Sequence, residues 1–148
     1  MITSVSIRRA TGADTDSIAR LAGELGYAVE PEKMRGHIQA ILASTADLLI
    51  VAVDSSGSVA GWLQAHAAHI VESGFRVEIT GLIVSPAFRR QGVGRSLVAN
   101  AEHWARTATA EAVVVRSNAR RVESHSFYPA LGYASTKTQV VYRKQLLP

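Results

Sequence analysis

The chain has no cysteine among its 148 residues, which excludes disulfide frameworks, thiolate nucleophiles and Cys-ligated zinc. Although 47% of the residues are apolar, no apolar run approaches the roughly 18–20 residues of a membrane span. The opening Met1-Ile2-Thr3-Ser4 lacks a basic region followed by an apolar stretch. These absences predict a soluble, cytoplasmic protein with no membrane partner. There is no linker, low-complexity tract or internal repeat, and the length suits one packed core better than two domains. Residues 1–148 are therefore read as a single domain.

The net charge of +4 is modest, but it is unevenly placed. From Phe88 to Tyr128 there are seven arginines (89, 90, 95, 106, 116, 120 and 121) against three acids, Glu102, Glu111 and Glu123. Arginine forks pair well with phosphate oxygens, so the excess suits a phosphate-bearing small molecule or a nucleic acid. Nucleic acid is the weaker reading, because only 6% of residues are aromatic and no recognition motif accompanies the cluster. A solvated helix face would give the same charge count.

Val5 and Ile7 alternate with polar neighbours in an opening strand over Ser4 to Arg9. Thr11-Gly12-Ala13-Asp14 resembles a capping signal for a helix that carries Ile18, Leu21, Ala22 and Leu25 on one face and stops at Gly26. Pro31 suits the first turn of a second helix, with Met34, Ile38, Ile41 and Leu42 on its apolar side. Strands Leu48 to Val53 and Val59 to Ala67 flank the turn-forming Asp54-Ser55-Ser56-Gly57-Ser58. A loop around His69 to Gly74 leads to a strand from Arg76 to Val84, ended by Ser85-Pro86. A helix from Gly92 to Thr107, a buried strand from Ala112 to Arg116, and a helix from Arg121 to Leu131 stopped by Gly132 follow. Ser135 to Leu146 predicts a last strand or bent pair of strands. The order β-α-α-β-β-β-α-β-α-β describes an α/β (α+β mixed sheet) domain with helices on both faces of one sheet.

The most informative stretch runs Ile83-Val84-Ser85-Pro86-Ala87-Phe88-Arg89-Arg90-Gln91-Gly92-Val93-Gly94-Arg95: a strand, a basic glycine-containing turn and a helix start. Glycines at 92 and 94 let an anion approach the free N–H groups of the first helical turn, and the helix dipole adds to the attraction. The spacing fits neither the dinucleotide GxGxxG nor a P-loop, which would need a lysine. Arg89-x-x-Gly92-x-Gly94 after a Val84-x-Pro86 turn resembles the acetyl-CoA signature of the GNAT superfamily of N-acetyltransferases. Phe127-Tyr128-Pro129-Ala130-Leu131-Gly132-Tyr133 resembles the FYxxLGF/Y stretch of the same superfamily. The resemblance is strong from Val77 to Tyr133 and loose before residue 48.

It implies a GNAT-like acyl-CoA N-acyltransferase fold with a central, mostly antiparallel, splayed sheet, and a splay or bulge that Gly81 would tolerate. It implies that backbone groups of Leu82, Ile83 and Val84 pair with the pantetheine arm of acetyl-CoA. The diphosphate falls to the turn of Arg89, Arg90, Gln91, Gly92, Val93, Gly94 and Arg95, with Ser96 adding a hydroxyl. Many members carry Asn-x-x-Ala-x-x-x-Tyr where this chain has Arg121-x-x-Ser124-x-x-x-Tyr128, so either Asn118 reaches the pantetheine or Arg121 grips a phosphate. Tyr128 would be the general acid that protonates the departing thiolate, or would hold a positional role only, with Phe127 and Tyr133 in the core. No residue pattern supports a metal, and His125 reads as a surface or cofactor-edge residue.

An amine acceptor of pKa ~10.4 is protonated at neutral pH and needs a base or water relay before it attacks. Glu78, fourteen residues before Gly92, lies where the similar histone acetyltransferases place their catalytic glutamate; binding a cationic substrate is the alternative role. His66 and His69 are alternative bases by pKa. The resemblance places the acceptor site at Tyr27 to Glu32, Trp62 to His66 and His69 to Phe75, with Glu24, Glu30, Glu32 and Glu72 able to make it acidic. The expected function is transfer of acetyl from acetyl-CoA to a primary amine of a small molecule or protein, through a ternary complex, with a homodimer allowed. A catalytically silent acetyl-CoA sensor or partner module is the alternative.

Overall fold

The computed structural model describes residues 4–117 and 122–148, in two compact units, Met1–Arg116 and Ser117–Pro148. The first unit is built on a five-stranded sheet in the order β1-β2-β3-β4-β5. Its strands are β1 (Val5–Arg9), β2 (Asp47–Asp54), β3 (Val59–Ile70), β4 (Gly74–Val84) and β5 (Ala112–Val115). The first four pair antiparallel in sequence, and β5 joins β4 in parallel.

Three helices cover the sheet: α1 (Thr15–Glu24), α2 (Pro31–Leu42) and α3 (Val93–Thr107). The capping box expected from Thr11 and Asp14 is present, and it caps the 3-10 turn Gly12–Asp14 that leads directly into α1. Its end at Gly26, in the left-handed region at φ 86, closes with bonds from Gly26 N to Gly23 O and from Tyr27 N to Ala22 O. Such a closure needs a residue without Cβ strain. Ile18, Leu21, Ala22, Met34 and Ile38 from α1 and α2 pack on Leu49, Val51, Val53 and Ile83 of one sheet face.

The opposite face belongs to α3. A Cβ on Gly61 would meet Ile83 O at 2.7 Å and Leu97 Cδ1 at 3.4 Å, so this β3 position faces α3 and must stay bare. Leu97, fully buried, contributes about 2 kcal/mol by leaving water. Among the described residues no helix is long and apolar enough to cross a membrane.

Two expectations need correction. Residues 69–74 are not a loop: β3 runs to Ile70 and β4 starts at Gly74. Cross-strand stacking of His69 on Phe75, centroids 4.5 Å apart, and a bond from Ser73 N to Ile70 O leave only a short turn. In the second unit, α4 (Val122–Ala130) is present, but residues 135–146 form no strand. Val140, Val141 and Tyr142 have strand propensity, yet they lie 75%, 85% and 91% exposed. Propensity of this kind measures fit to a half-buried pleat, and no strand among the described residues pairs with this run.

Candidate active site

One extra residue in β4 organises the site. Gln64 opposes Gly81 while Ala65 opposes Ile79, so Thr80 is a bulge. In an unbroken ladder the period of two would turn Ile79 to the α1–α2 face and bury Glu78 beneath α3. With the bulge, Ile79 joins the α3 core, 1% exposed, and Glu78 shares the other face with His66 and Asp47. The register Asp47↔His66↔Glu78 makes these three a row across β2, β3 and β4. The next two rows on that face are Leu49–Gln64–Gly81 and Val51–Trp62–Ile83. Polar side chains thus sit where α1 and α2 contribute least to the core.

The row is tied by charge. His66 Nδ1 lies 2.9 Å from Asp47 Oδ1. Glu78 Oε1 accepts from Arg76 Nη2 at 2.6 Å, and its two oxygens accept from Arg116 Nη2 at 3.5 Å and Arg116 Nε at 3.4 Å. Burial by itself would raise the Glu78 pKa, but the hydrogen bonds from Arg116 and Arg76 and their positive charge together hold it below its ordinary value. Glu78 and Arg76 side chains are only 14% and 16% exposed, whereas Arg116 is 52% exposed. The sequence marks Arg116 only as one of the arginines suited to phosphate, whereas here it is bonded to Glu78; Arg76 and Asp47 carry no such mark. Period-two spacing from Glu78 would have found Arg76; the others depend on strand register.

Beyond the bulge β4 changes character. Pairing with β5 covers only Arg76–Ile79, so Leu82, Ile83 and Val84 are paired to β3 alone within this sheet. The chain then passes a 3-10 turn, Pro86–Phe88, and enters α3 through Gly92, which sits at φ 80 as the helix N-cap with no side chain capping it. Arg90, at φ 63, is also left-handed; a non-glycine residue held there costs of order 1–3 kcal/mol, a strain that clusters at functional sites. A Cβ on Gly92 would meet nothing within 4 Å, so the space in front of the helix N-terminus is open. Arg89 and Gln91 brace the turn through Val84 O at 3.4 Å and Ala87 O at 3.2 Å. Arg90 and Arg95 are exposed, Val93 is buried, and Ser96 N closes the first helical turn on Gly92 O. An anion is well served by such a turn.

A sequence model of the acetyltransferase (GNAT) family matches residues 15–133. The chain belongs to this family. It is 33% identical over 129 residues to the aminoalkylphosphonate N-acetyltransferase of Salmonella typhimurium (strain LT2), covering 86% of this chain and 83% of that one. To the aminoglycoside N(6')-acetyltransferase type 1 of Stenotrophomonas maltophilia it is 28% identical over 147 residues, covering 97% and 95%. The fold matches an aminoglycoside N-acetyltransferase solved with CoA at a TM-score of 0.86, 21% identity and 97% coverage of both chains. This GNAT chain is accordingly an N-acetyltransferase with the mixed, helix-flanked sheet expected of the family.

The GNAT motif around Tyr128 lies in the second unit. There the Tyr128 ring stands edge-on to Phe127 and Tyr133, at 5.0 and 6.0 Å. α4 ends as expected at Gly132, with Tyr133 N bonded to Tyr128 O and Gly132 N to Pro129 O. Asn118 and Arg121 lie outside the described residues. Glu24, Glu30, Glu32 and Glu72 are all exposed. His69 is stacked on Phe75 and joins no charged row. Among the described residues no group of three or more His, Asp or Glu is placed to hold a metal.

Proposed function

We propose that residues 1–148 act as one catalytic domain that transfers acetyl from acetyl-CoA directly to a primary amine of a small polar molecule, in a ternary complex. The observation that carries this is the change in β4 at Thr80. A charged, side-chain-bearing half ends there, and a half with an unmatched main-chain edge runs on into the glycine turn. Acetyl-CoA supplies the activated acyl group. Its pantetheine amides suit the edge of Leu82–Val84, and its diphosphate suits the N–H groups of Gly92 to Ser96, with Arg89, Arg90 and Arg95 lending charge. With no cysteine in the chain, no thiol is available for an acyl-enzyme, which favours direct attack.

Glu78, kept ionised by two guanidinium groups, is suited to hold the acceptor ammonium and poorly suited to take its proton. Tyr128 is proposed to return a proton to the thiolate: a phenol of pKa ~10 can donate to a thiolate of pKa ~8.5 when the two are hydrogen-bonded. A small-molecule acceptor is favoured because the relatives named above act on aminoglycosides and aminoalkylphosphonates. A cytoplasmic location fits this reading.

The test is release of CoA thiol with a panel of amines that includes 2-aminoethylphosphonate and neamine, alongside calorimetry on Gly92→Glu. Transfer to at least one amine is expected. The glutamate, with its charge and bulk in front of the helix, should weaken acetyl-CoA at least about 100-fold, while Gly92→Ala, which adds only backbone strain of ~1–2 kcal/mol, weakens it far less. Equal affinity in wild type and Gly92→Glu would remove the diphosphate from this turn.

A further inference from the structure

The acetyl-transfer reading leaves the ammonium of the acceptor without a base, and the polar row supplies one. His66 lies between Asp47 and Glu78 on one sheet face. Its Nδ1 is engaged by the Asp47 carboxylate at 2.9 Å, with Asp47 18% and His66 46% exposed. A neutral imidazole whose Nδ1–H is donated to a carboxylate presents a lone pair at Nε2, and among the described residues Nε2 has no hydrogen-bond partner. The groups facing it are Asp47 from β2, Glu78 and Arg76 from β4, and Arg116 at the end of β5. Directly opposed strand residues have Cα atoms roughly 4.5–5.5 Å apart, so one small ammonium group can touch both Glu78 and His66.

We propose that His66, oriented by Asp47, is the general base that deprotonates the acceptor amine, while Glu78 holds the ammonium as a fixed anion. This rests on the acetyl-transfer reading. The ammonium passes one proton to His66 Nε2, and the imidazolium formed is balanced by Asp47. The freed nitrogen lone pair forms the C–N bond at the thioester carbonyl, the C–S bond breaks, and the thiolate gains a proton as the nitrogen loses its second. His66 then releases its proton to water, so each turnover yields amide, CoA thiol and one proton.

The experiment compares kcat/KM from pH 5.5 to 9 for wild type, His66→Gln and Asp47→Asn, with 2-aminoethylphosphonate and neamine as acceptors. Acetyl-CoA affinity by calorimetry serves as the check that each variant is folded. His66→Gln should lower turnover roughly 100-fold to 1000-fold and flatten the acidic limb, with acetyl-CoA affinity unchanged. Asp47→Asn should lower turnover by less than His66→Gln, with acetyl-CoA affinity unchanged, because the ring loses the carboxylate that orients its Nδ1. An acceptor amine of pKa near 7, already neutral at pH 8, should lose much less in His66→Gln than one of pKa ~10. Wild-type transfer with an unaltered acidic limb and rate in His66→Gln overturns this proposal alone. Binding of acetyl-CoA with no transfer to any amine overturns the acetyl-transfer reading and this proposal with it.

Discussion

Two carboxylates, Asp14 and Glu78, share a description and differ in use. Each is largely buried, each is gripped by arginine, and each titrates below its ordinary range. Asp14 is bonded by both Nη atoms of Arg8, at 2.8 and 2.9 Å, and by the backbone N–H of Thr11 at 2.8 Å. All its partners lie within six residues, so the cluster closes when β1 meets α1 and its bonding capacity is consumed by the fold. Glu78 accepts from two side chains, one of them 38 residues away, and stands beside His66 in the polar row. A depressed carboxyl therefore does not by itself mark a site. What separates the two is whether backbone donors occupy the oxygens, and which neighbours share the face.

The largest effect that would sharpen this contrast is on stability at Asp14. Asp14→Asn removes a bidentate ion pair and weakens a cap, together roughly 2–4 kcal/mol, which for a chain of this size lowers Tm by about 5–12 °C. Turnover at 25 °C should stay within about twofold. Differential scanning calorimetry with an acetyl-transfer assay on the same samples checks both. A variant that melts like wild type but loses activity would break the assignment of Asp14 to the fold.

At Glu78 the order of effects should reverse. Glu78→Gln keeps the shape but loses the charge that holds the acceptor ammonium, a contact of roughly 1.5–3 kcal/mol, so kcat/KM should fall about 10-fold to 100-fold. The loss should fall mainly on the acceptor KM, with kcat largely kept. A drop confined to kcat, together with loss of the acidic limb, would make Glu78 the base and exclude His66 from that role.

Much of this was legible in the sequence because it is local. Thr11 and Asp14 announce a helix start, Gly26 and Gly132 announce helix ends, and Gly92 before an apolar-periodic run announces the anion-binding turn. The row of Asp47, His66 and Glu78 was not legible, since it depends on which residue of β3 opposes which of β4, and that register shifts by one at Thr80. Gly81 marked the neighbourhood of the bulge. A Cβ there would lie 2.8 Å from the Trp62 ring, so the glycine makes room for the indole, and the extra residue is its neighbour. The expected strand over 135–146 failed for a related reason: a run of β-branched residues says nothing about whether a partner edge will be there to receive it.

The smallest effect concerns pH. Asp14 and Glu78 have folded-state pKa values below their ordinary 3.8 and 4.5. The native state therefore binds these protons less readily than the unfolded chain, and stability rises with pH through the acid range. Each contribution is fully present above the ordinary value and is lost as pH falls through the folded-state value. The Tm gap between wild type and Asp14→Asn should be constant from pH 7 to about 5 and should close as pH drops below 3.8. For Glu78→Gln the gap should begin to close nearer 4.5 and should be smaller throughout, because half-exposed Arg116 is screened by water and salt. Melting curves from pH 2.5 to 7 at two salt concentrations measure both. A Glu78→Gln gap that widens as pH falls would mean that the folded state raises the Glu78 pKa. The two arginines would then be failing to hold it ionised, and Glu78 would regain its claim to the acceptor's proton.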